Sequence, residues 1–261
     1  MQTLDEGTAM PDETDRPRNW FDQGGQAYAR FRPEYPPELA RFLASVSAGT
    51  ARAVDVGCGN GQLTIQLARH FDAVLGVDPS ASQIASAPAH PSVTYVCAPA
   101  EELPVADHTV QLITAAQAAH WFDLPRFYEE ARRIAMPRAV LALISYGVPW
   151  LGEDLEARFS RFYWDEIGPY WPPERSAITT GYADLPFPFE EHPAPALAIR
   201  KVWGLADLLG YISTWSAVRN LREAGRDEIL QGFAADLTAL WGDAARRREV
   251  CWPVSMRWGV L

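Results

Sequence analysis

Between residues 51 and 146, short apolar runs alternate with stretches whose apolar positions recur every three or four residues. The runs at 51–56, 73–77, 93–97, 110–115 and 139–146 predict strands. The stretches at 62–70, 80–87 and 124–135 predict helices between them, the second opened by a serine cap at Ser80. Upstream, residues 20–46 predict a helical stretch, a proline-rich break and a second helix from 37 to 46. Strands that alternate with helices imply a mostly parallel sheet with both faces covered.

After Tyr146 the texture changes. Residues 147–185 carry Trp150, Phe159, Phe162, Tyr163, Trp164, Tyr170, Trp171 and Tyr182. Each reads most simply as core; as a group inserted late in an α/β fold they also suit a cap over a ligand site. Residues 187–192 and 198–203 predict strands, 205–220 and 227–241 helices, and 251–260 a last strand that closes the sheet. The expected layout is a disordered leader at 1–18 and one domain at 19–261. Its cap elements lie at 19–47 and 147–185, and further helices within 204–241.

Composition narrows the partners. The chain has 261 residues, 48% hydrophobic, and a formal net charge of −10. An acidic surface repels phosphate backbones and argues against nucleic acid. The run Arg246–Arg248 reads as a solvated helix end. Three cysteines, Cys58, Cys97 and Cys251, have no metal-ligand spacing and suit a reduced, cytoplasmic protein. No apolar stretch approaches the roughly 20 residues of a membrane span. The acidic start has no hydrophobic region of a secretory signal.

The candidate chemistry sits in "VDVGCGNGQ", residues 54–62. A strand, a glycine turn and a helix let the backbone approach a ligand closely. A dinucleotide site needs G-x-G-x-x-G. Here Gln62 stands where the third glycine belongs, and Asp55 in the turn approach would repel a pyrophosphate. A cationic ligand without phosphates fits better. Asp78, at the end of the next strand in "LGVDPS", can accept hydrogen bonds from two ribose hydroxyls. Its other reading is a turn residue, since Asp-Pro-Ser is good turn chemistry.

The segments "VDVGCGNGQ", "LGVDPS", "CAPAEELPVAD" and "HTVQLITAAQAAHWFD" occur in order. They resemble the successive motifs of class I S-adenosylmethionine-dependent methyltransferases. With "YARFRPEYPPEL" and "YISTWSAVRN", the chain resembles the small-molecule branch typified by trans-aconitate methyltransferase. The resemblance implies a Rossmann-like, mostly parallel seven-stranded sheet with helices on both faces. An N-terminal helical lid and an aromatic-rich helical insertion after the fifth strand would complete it. One departure is "AMPRAV", where Arg138 and Ala139 replace the glycines of the family's Pro-Gly-Gly turn.

The resemblance also implies roles. Gly57, Cys58 and Gly59 line the methionine side of S-adenosylmethionine, with Asp55 attracting its cationic end. Asp78 holds the ribose, Pro79 lies beside the adenine, and Ala100 and Glu101 read the adenine edge. Ala116 and Gln117 contact the methionyl part. Tyr28 and Arg32 close the pocket from the lid, Arg32 against the cofactor carboxylate. His120 is placed either as a general base or as a hydrogen-bonding residue. Trp121 is placed to cage the sulfonium by cation–π attraction or to serve as core. Tyr146, Trp215 and Ser216 are candidates for the wall against a small-molecule methyl acceptor.

The implied reaction is in-line methyl transfer to an oxygen, nitrogen or carbon of a small metabolite, with no metal and no nucleic-acid or membrane partner. Three alternatives stand beside it. An RNA methyltransferase is disfavoured by charge, and a nucleotide-dependent dehydrogenase by Asp55 and Gln62. The third is a binding protein that has kept the cofactor fold without turnover.

Overall fold

A computed structural model describes residues 33–243 and 245–261. The leader and first helical stretch expected at 1–32, with Tyr28 and Arg32, lie outside the described residues. The first described helix, α1 (Pro37–Val46), starts on a proline whose missing N–H is not needed at that position. Its face of Leu39, Ala40 and Leu43 is buried. There follow β1 (Arg52–Val56), α2 (Gln62–Leu67), β2 (Ala73–Asp78), α3 (Ala81–Ala85) and β3 (Val93–Cys97). Next come β4 (Val110–Ala116), α4 (Leu124–Ile134) and β5 (Ala135–Tyr146). The insertion carries α5 (Glu153–Ser160), which runs on as a π-helical turn, and α6 (Ser176–Thr179). The chain closes with β6 (Leu197–Trp203), α7 (Leu205–Ser213), α8 (Ser216–Glu223), α9 (Asp227–Trp241) and β7 (Arg248–Val260).

Among the described residues, seven strands form one sheet in the order β3-β2-β1-β4-β5-β7-β6. β7 runs antiparallel to β5 and β6, and the pairs among β1–β5 are parallel. The order reverses at β1, which opens a crevice at the carboxyl ends of β1 and β4. Along β5 the side chains alternate between two cores. Val140, Ala142, Ile144 and Tyr146 face one, and Ala139, Leu141 and Leu143 the other. This two-sided burial is why the strand reads as a continuous apolar run.

Four local readings change. Residues 187–192 do not form a strand; Pro186, Pro188 and Pro193 remove ladder donors. Glu191 makes a single bridge to Gly259. Phe187 and Phe189 owe their alternation to packing on Tyr128. The helix expected over 205–220 is two helices, because Trp215 is extended (φ −74°, ψ 141°). That break turns its indole into a buried cluster with Phe159, Tyr163, Trp171 and Tyr211. The helix expected over 62–70 ends at Leu67. β5 begins at Ala135, not 139, and its ladder with β4 steps from Val110–Ala135 to Leu112–Val140.

Arg138 sits in that irregularity with φ 68°, where a side chain is strained. It is exposed, so its substitution removes no packing. Arg138→Gly is expected to raise stability by about 1 kcal/mol. In urea this should appear as a higher midpoint with an unchanged slope.

Candidate functional site

A cleft of about 420 Å³ lies at the carboxyl ends of β1, β2 and β4. The turn after β1 forms its floor. The amides of Gly57 and Cys58 both donate to the Val77 carbonyl, at 2.7 and 3.0 Å, which ties the turn to β2. Gly57 has φ 67°, and a Cβ there would lie 2.3 Å from the Ala118 Cβ. Gly61 opens α2 at φ 82°, and a Cβ there would meet the Tyr95 ring and hydroxyl, the nearest atom at 2.2 Å. Tyr95 thus fills the space under the turn. Burial pushes the Cys58 thiol well above its ordinary range, so it lines the cleft as an inert group.

Two aspartates organise the cleft. Asp55 is buried and accepts hydrogen bonds from Thr64 Oγ1 (2.7 Å) and Thr114 Oγ1 (2.8 Å). Burial outweighs those bonds and pushes its carboxyl up to about 6. Asp78 accepts from the Gly59 amide through Oδ2 and from the Ser80 amide through Oδ1, both at 2.8 Å. Burial raises its pKa as well. Each carboxylate oxygen has a second lone pair for a ligand hydroxyl.

Beyond the aspartates, Glu101 Oε1 accepts from the Asp123 amide at 2.8 Å, which fixes the loop after β3 against the start of α4. Gln117 follows β4 with φ 57°. Its Nε2 donates to the Tyr146 carbonyl at 2.9 Å, while its Oε1 is buried without a partner. Gln83 Oε1 is buried and unpartnered too. Leaving such acceptors unpaired costs about 1–3 kcal/mol each, so both favour a ligand that brings donors.

The cleft wall therefore carries Asp55, Asp78, Glu101 and two unpaired carbonyl oxygens, with no lysine or arginine among its described lining. Such a wall suits a nucleoside with a cationic tail and repels a pyrophosphate. These residues fit the adenosyl cofactor expected from the sequence. Among the described residues no cluster of His, Cys, Asp or Glu could hold a metal ion, and no helix is long and apolar enough to cross a membrane.

Of the sequence candidates, Asp55, Gly57, Cys58, Gly59, Asp78, Pro79, Ala100, Glu101, Ala116, Gln117, Trp121 and Tyr146 all line the cleft. His120, Trp215 and Ser216 do not. Trp215 is 3% exposed inside its aromatic cluster, and Ser216 begins α8. The sequence reading missed Tyr35, Gln83, Ala118 and Phe122 as lining residues. Phe122 was within reach, since it lies in the quoted "HWFD". Gln83 carried no signal beyond the helix-start pattern around Ser80.

His120 lies in the short turn Ala119–Trp121 after β4, its ring against Trp121 with centroids 4.8 Å apart. Its Nδ1 is 3.1 Å from Tyr182 Oη. Burial and, less strongly, the nearby Arg175 push its pKa down to about 3. It is therefore a neutral imidazole at physiological pH. A base this weak withdraws protons poorly, which favours the hydrogen-bonding reading over the general base.

Asp55 makes the fold pH-sensitive. Its folded pKa, near 6, stands above the ordinary 3.8. Between those values the unfolded chain has lost the proton that the folded chain keeps. Stability is thus higher below pH 4 and falls as pH rises to 6, by about 3 kcal/mol from this group. Asp55→Asn is expected to flatten that slope in urea titrations run from pH 4 to 7. A cationic ligand favours the charged form, so its affinity is expected to weaken as pH falls below about 6.

Comparisons with known proteins agree with this geometry. Residues 54–143 match the model of a methyltransferase domain family. A Dictyostelium discoideum protein assigned as a methyltransferase is 36% identical over 214 residues, 80% of this chain and 81% of the relative. A Saccharomyces cerevisiae protein, named as a probable S-adenosylmethionine-dependent methyltransferase, is 27% identical over 168 residues, 59% of this chain and 58% of its own. A solved structure from Anaeromyxobacter dehalogenans, assigned as a type II methyltransferase, superposes with a TM-score of 0.83 at 44% identity. That match covers 88% of this chain and 98% of that one.

Proposed function

Because this chain belongs to the class I S-adenosylmethionine-dependent methyltransferases, we propose that its methyl acceptor is a small molecule enclosed at the inner end of the cleft. The observation that carries this is burial. Tyr146 lines the cleft at 3% exposed, and Tyr182, against His120 beside the cleft, is 0% exposed. A side chain of a folded protein or a base in a nucleic-acid duplex would have to displace this wall, and the net charge of −10 opposes a nucleic acid further.

S-adenosylmethionine supplies a methyl group already activated on a sulfonium. The protein's share is alignment and the exclusion of water. Asp78 receives the ribose, Ala100 and Glu101 the adenine, and Asp55 with Gln117 Oε1 the ammonium end. Gly57 and Gly59 let the backbone pass close. Trp121 turns a ring toward the cationic centre. Neutral His120 donates or accepts one hydrogen bond without abstracting a proton, so the acceptor atom must bring its own free lone pair.

The test is methyl transfer from labelled S-adenosylmethionine into a cell extract separated into small-molecule, RNA and protein fractions. Label in the small-molecule fraction is expected. Label only in RNA or protein would reject the proposal, and no label anywhere would favour a binding protein.

A further inference from the structure

Beside the cleft, Arg175 has no carboxylate partner among the described residues. Arg175 ends the short turn Pro173–Arg175, which packs against the turn that carries His120. Its guanidinium lies over the Trp171 ring, Cζ 5.0 Å from the centroid. One Nη donates to Tyr163 Oη at 3.4 Å, and Nε is buried with no partner. No carboxylate among the described residues pairs with it, in a chain with 33 acidic and 23 basic residues. A half-buried guanidinium left this way keeps donors of its planar fork that no carboxylate among the described residues receives.

His120 is held as a second donor. Tyr182 Oη lies 3.1 Å from Nδ1 and is the partner of that nitrogen. When the phenol donates in that contact, the imidazole hydrogen sits on Nε2. Nε2 has no partner among the described residues. Tyr182 is fully buried at φ 69°, a strained conformation for a bulky residue, and its carbonyl is anchored by Arg257 Nη1 at 2.8 Å. Strain held in place by burial and an arginine is consistent with a positioning role. The corner also adjoins the cleft, since Trp121 and Tyr146 line it.

We propose that Arg175 and the Nε2–H of His120 receive a carboxylate of the methyl acceptor, with Tyr182 as the positioning residue that keeps Nε2 a donor. The proposal rests on the methyl-transfer reading and names its substrate class. A carboxylate fits the planar guanidinium in a bidentate pair. It also explains how an acidic protein admits an anion: one local cation offsets the repulsive field at the point of contact.

The experiment titrates the full chain, saturated with S-adenosylhomocysteine, with succinate and benzoate and with their neutral amides. Calorimetry reads affinity. Wild type is expected to bind at least one acid 10-fold or more tightly than its amide. Arg175→Gln should abolish that preference while affinity for S-adenosylhomocysteine stays within 2-fold. Arg175→Lys, which keeps the charge, should retain part of the preference and guards against a folding artefact. Tyr182→Phe should weaken acid binding about 3-fold and shift the ¹⁵N resonances of the His120 ring, a change that mere loss of packing would not produce. Equal binding of acid and amide, binding of neither, or a preference that survives Arg175→Gln would overturn the proposal. Failure of wild type to bind S-adenosylhomocysteine would instead bring down the methyl-transfer reading beneath it.

Discussion

Asp78→Ala is expected to weaken S-adenosylhomocysteine binding by about 100-fold, roughly 3 kcal/mol. The carboxylate ends β2 inside the cleft, and its two oxygens are already aimed by the Gly59 and Ser80 amides. Both retain a lone pair for the ribose hydroxyls, and hydrogen bonds to a charged acceptor contribute about 1.5–3 kcal/mol each. The fold should tolerate the change. The two amides lose their acceptor, but a half-buried carboxyl whose pKa burial has raised is also removed. The thermal midpoint should therefore move by only a few degrees while affinity collapses. Asp78→Asn, which keeps one carbonyl oxygen, should fall between. Calorimetric titration of the three proteins decides it, and an Asp78→Ala protein with wild-type affinity would remove the ribose assignment.

Gly57→Ala should be more disruptive still. The new Cβ would lie 2.3 Å from the Ala118 Cβ and 3.2 Å from Phe122 Cζ, with the backbone at φ 67°. Overpacking costs about 1–3 kcal/mol and the left-handed conformation about 1–2 more. A loss of about 3 kcal/mol is expected, near 10 °C in melting temperature for a chain of this size, together with loss of cofactor binding. Ala118→Gly removes the atom in the way. The double variant Gly57→Ala/Ala118→Gly should recover most of the packing loss and keep the conformational one, a coupling that a double-mutant cycle measures directly. Simple additivity of the two changes would show that the close approach is not what excludes a side chain at Gly57.

Much of the cofactor half was legible because its signals are local. β3 and the helices Pro37–Val46 and Asp227–Trp241 begin and end where periodicity places them. The glycine turn and Asp78 announce the cleft because backbone conformation and strand-end position follow from short segments. The corner proposed for the acceptor was legible only at His120, for the opposite reason. His120, Arg175 and Tyr182 come from three separate segments, and only tertiary packing brings them together. Trp215 had no local breaker residue to announce the bend before α8; its place in the aromatic cluster decided that bend. Phe187 and Phe189 alternate like a strand, yet prolines deny them a ladder. β7 was read as closing the sheet, and it does so from inside, inserted between β5 and β6. Strand order is a non-local property that no run of apolar residues encodes.

The most direct test of the central claim is amide hydrogen exchange of the full chain with and without saturating S-adenosylhomocysteine. Protection is expected at 57–61, 78–83, 99–101 and 116–122, four segments far apart in sequence that meet only in this cleft. Little change is expected across the outer strand Leu197–Trp203. Protection centred elsewhere, or binding with no protection in those four segments, would contradict the account.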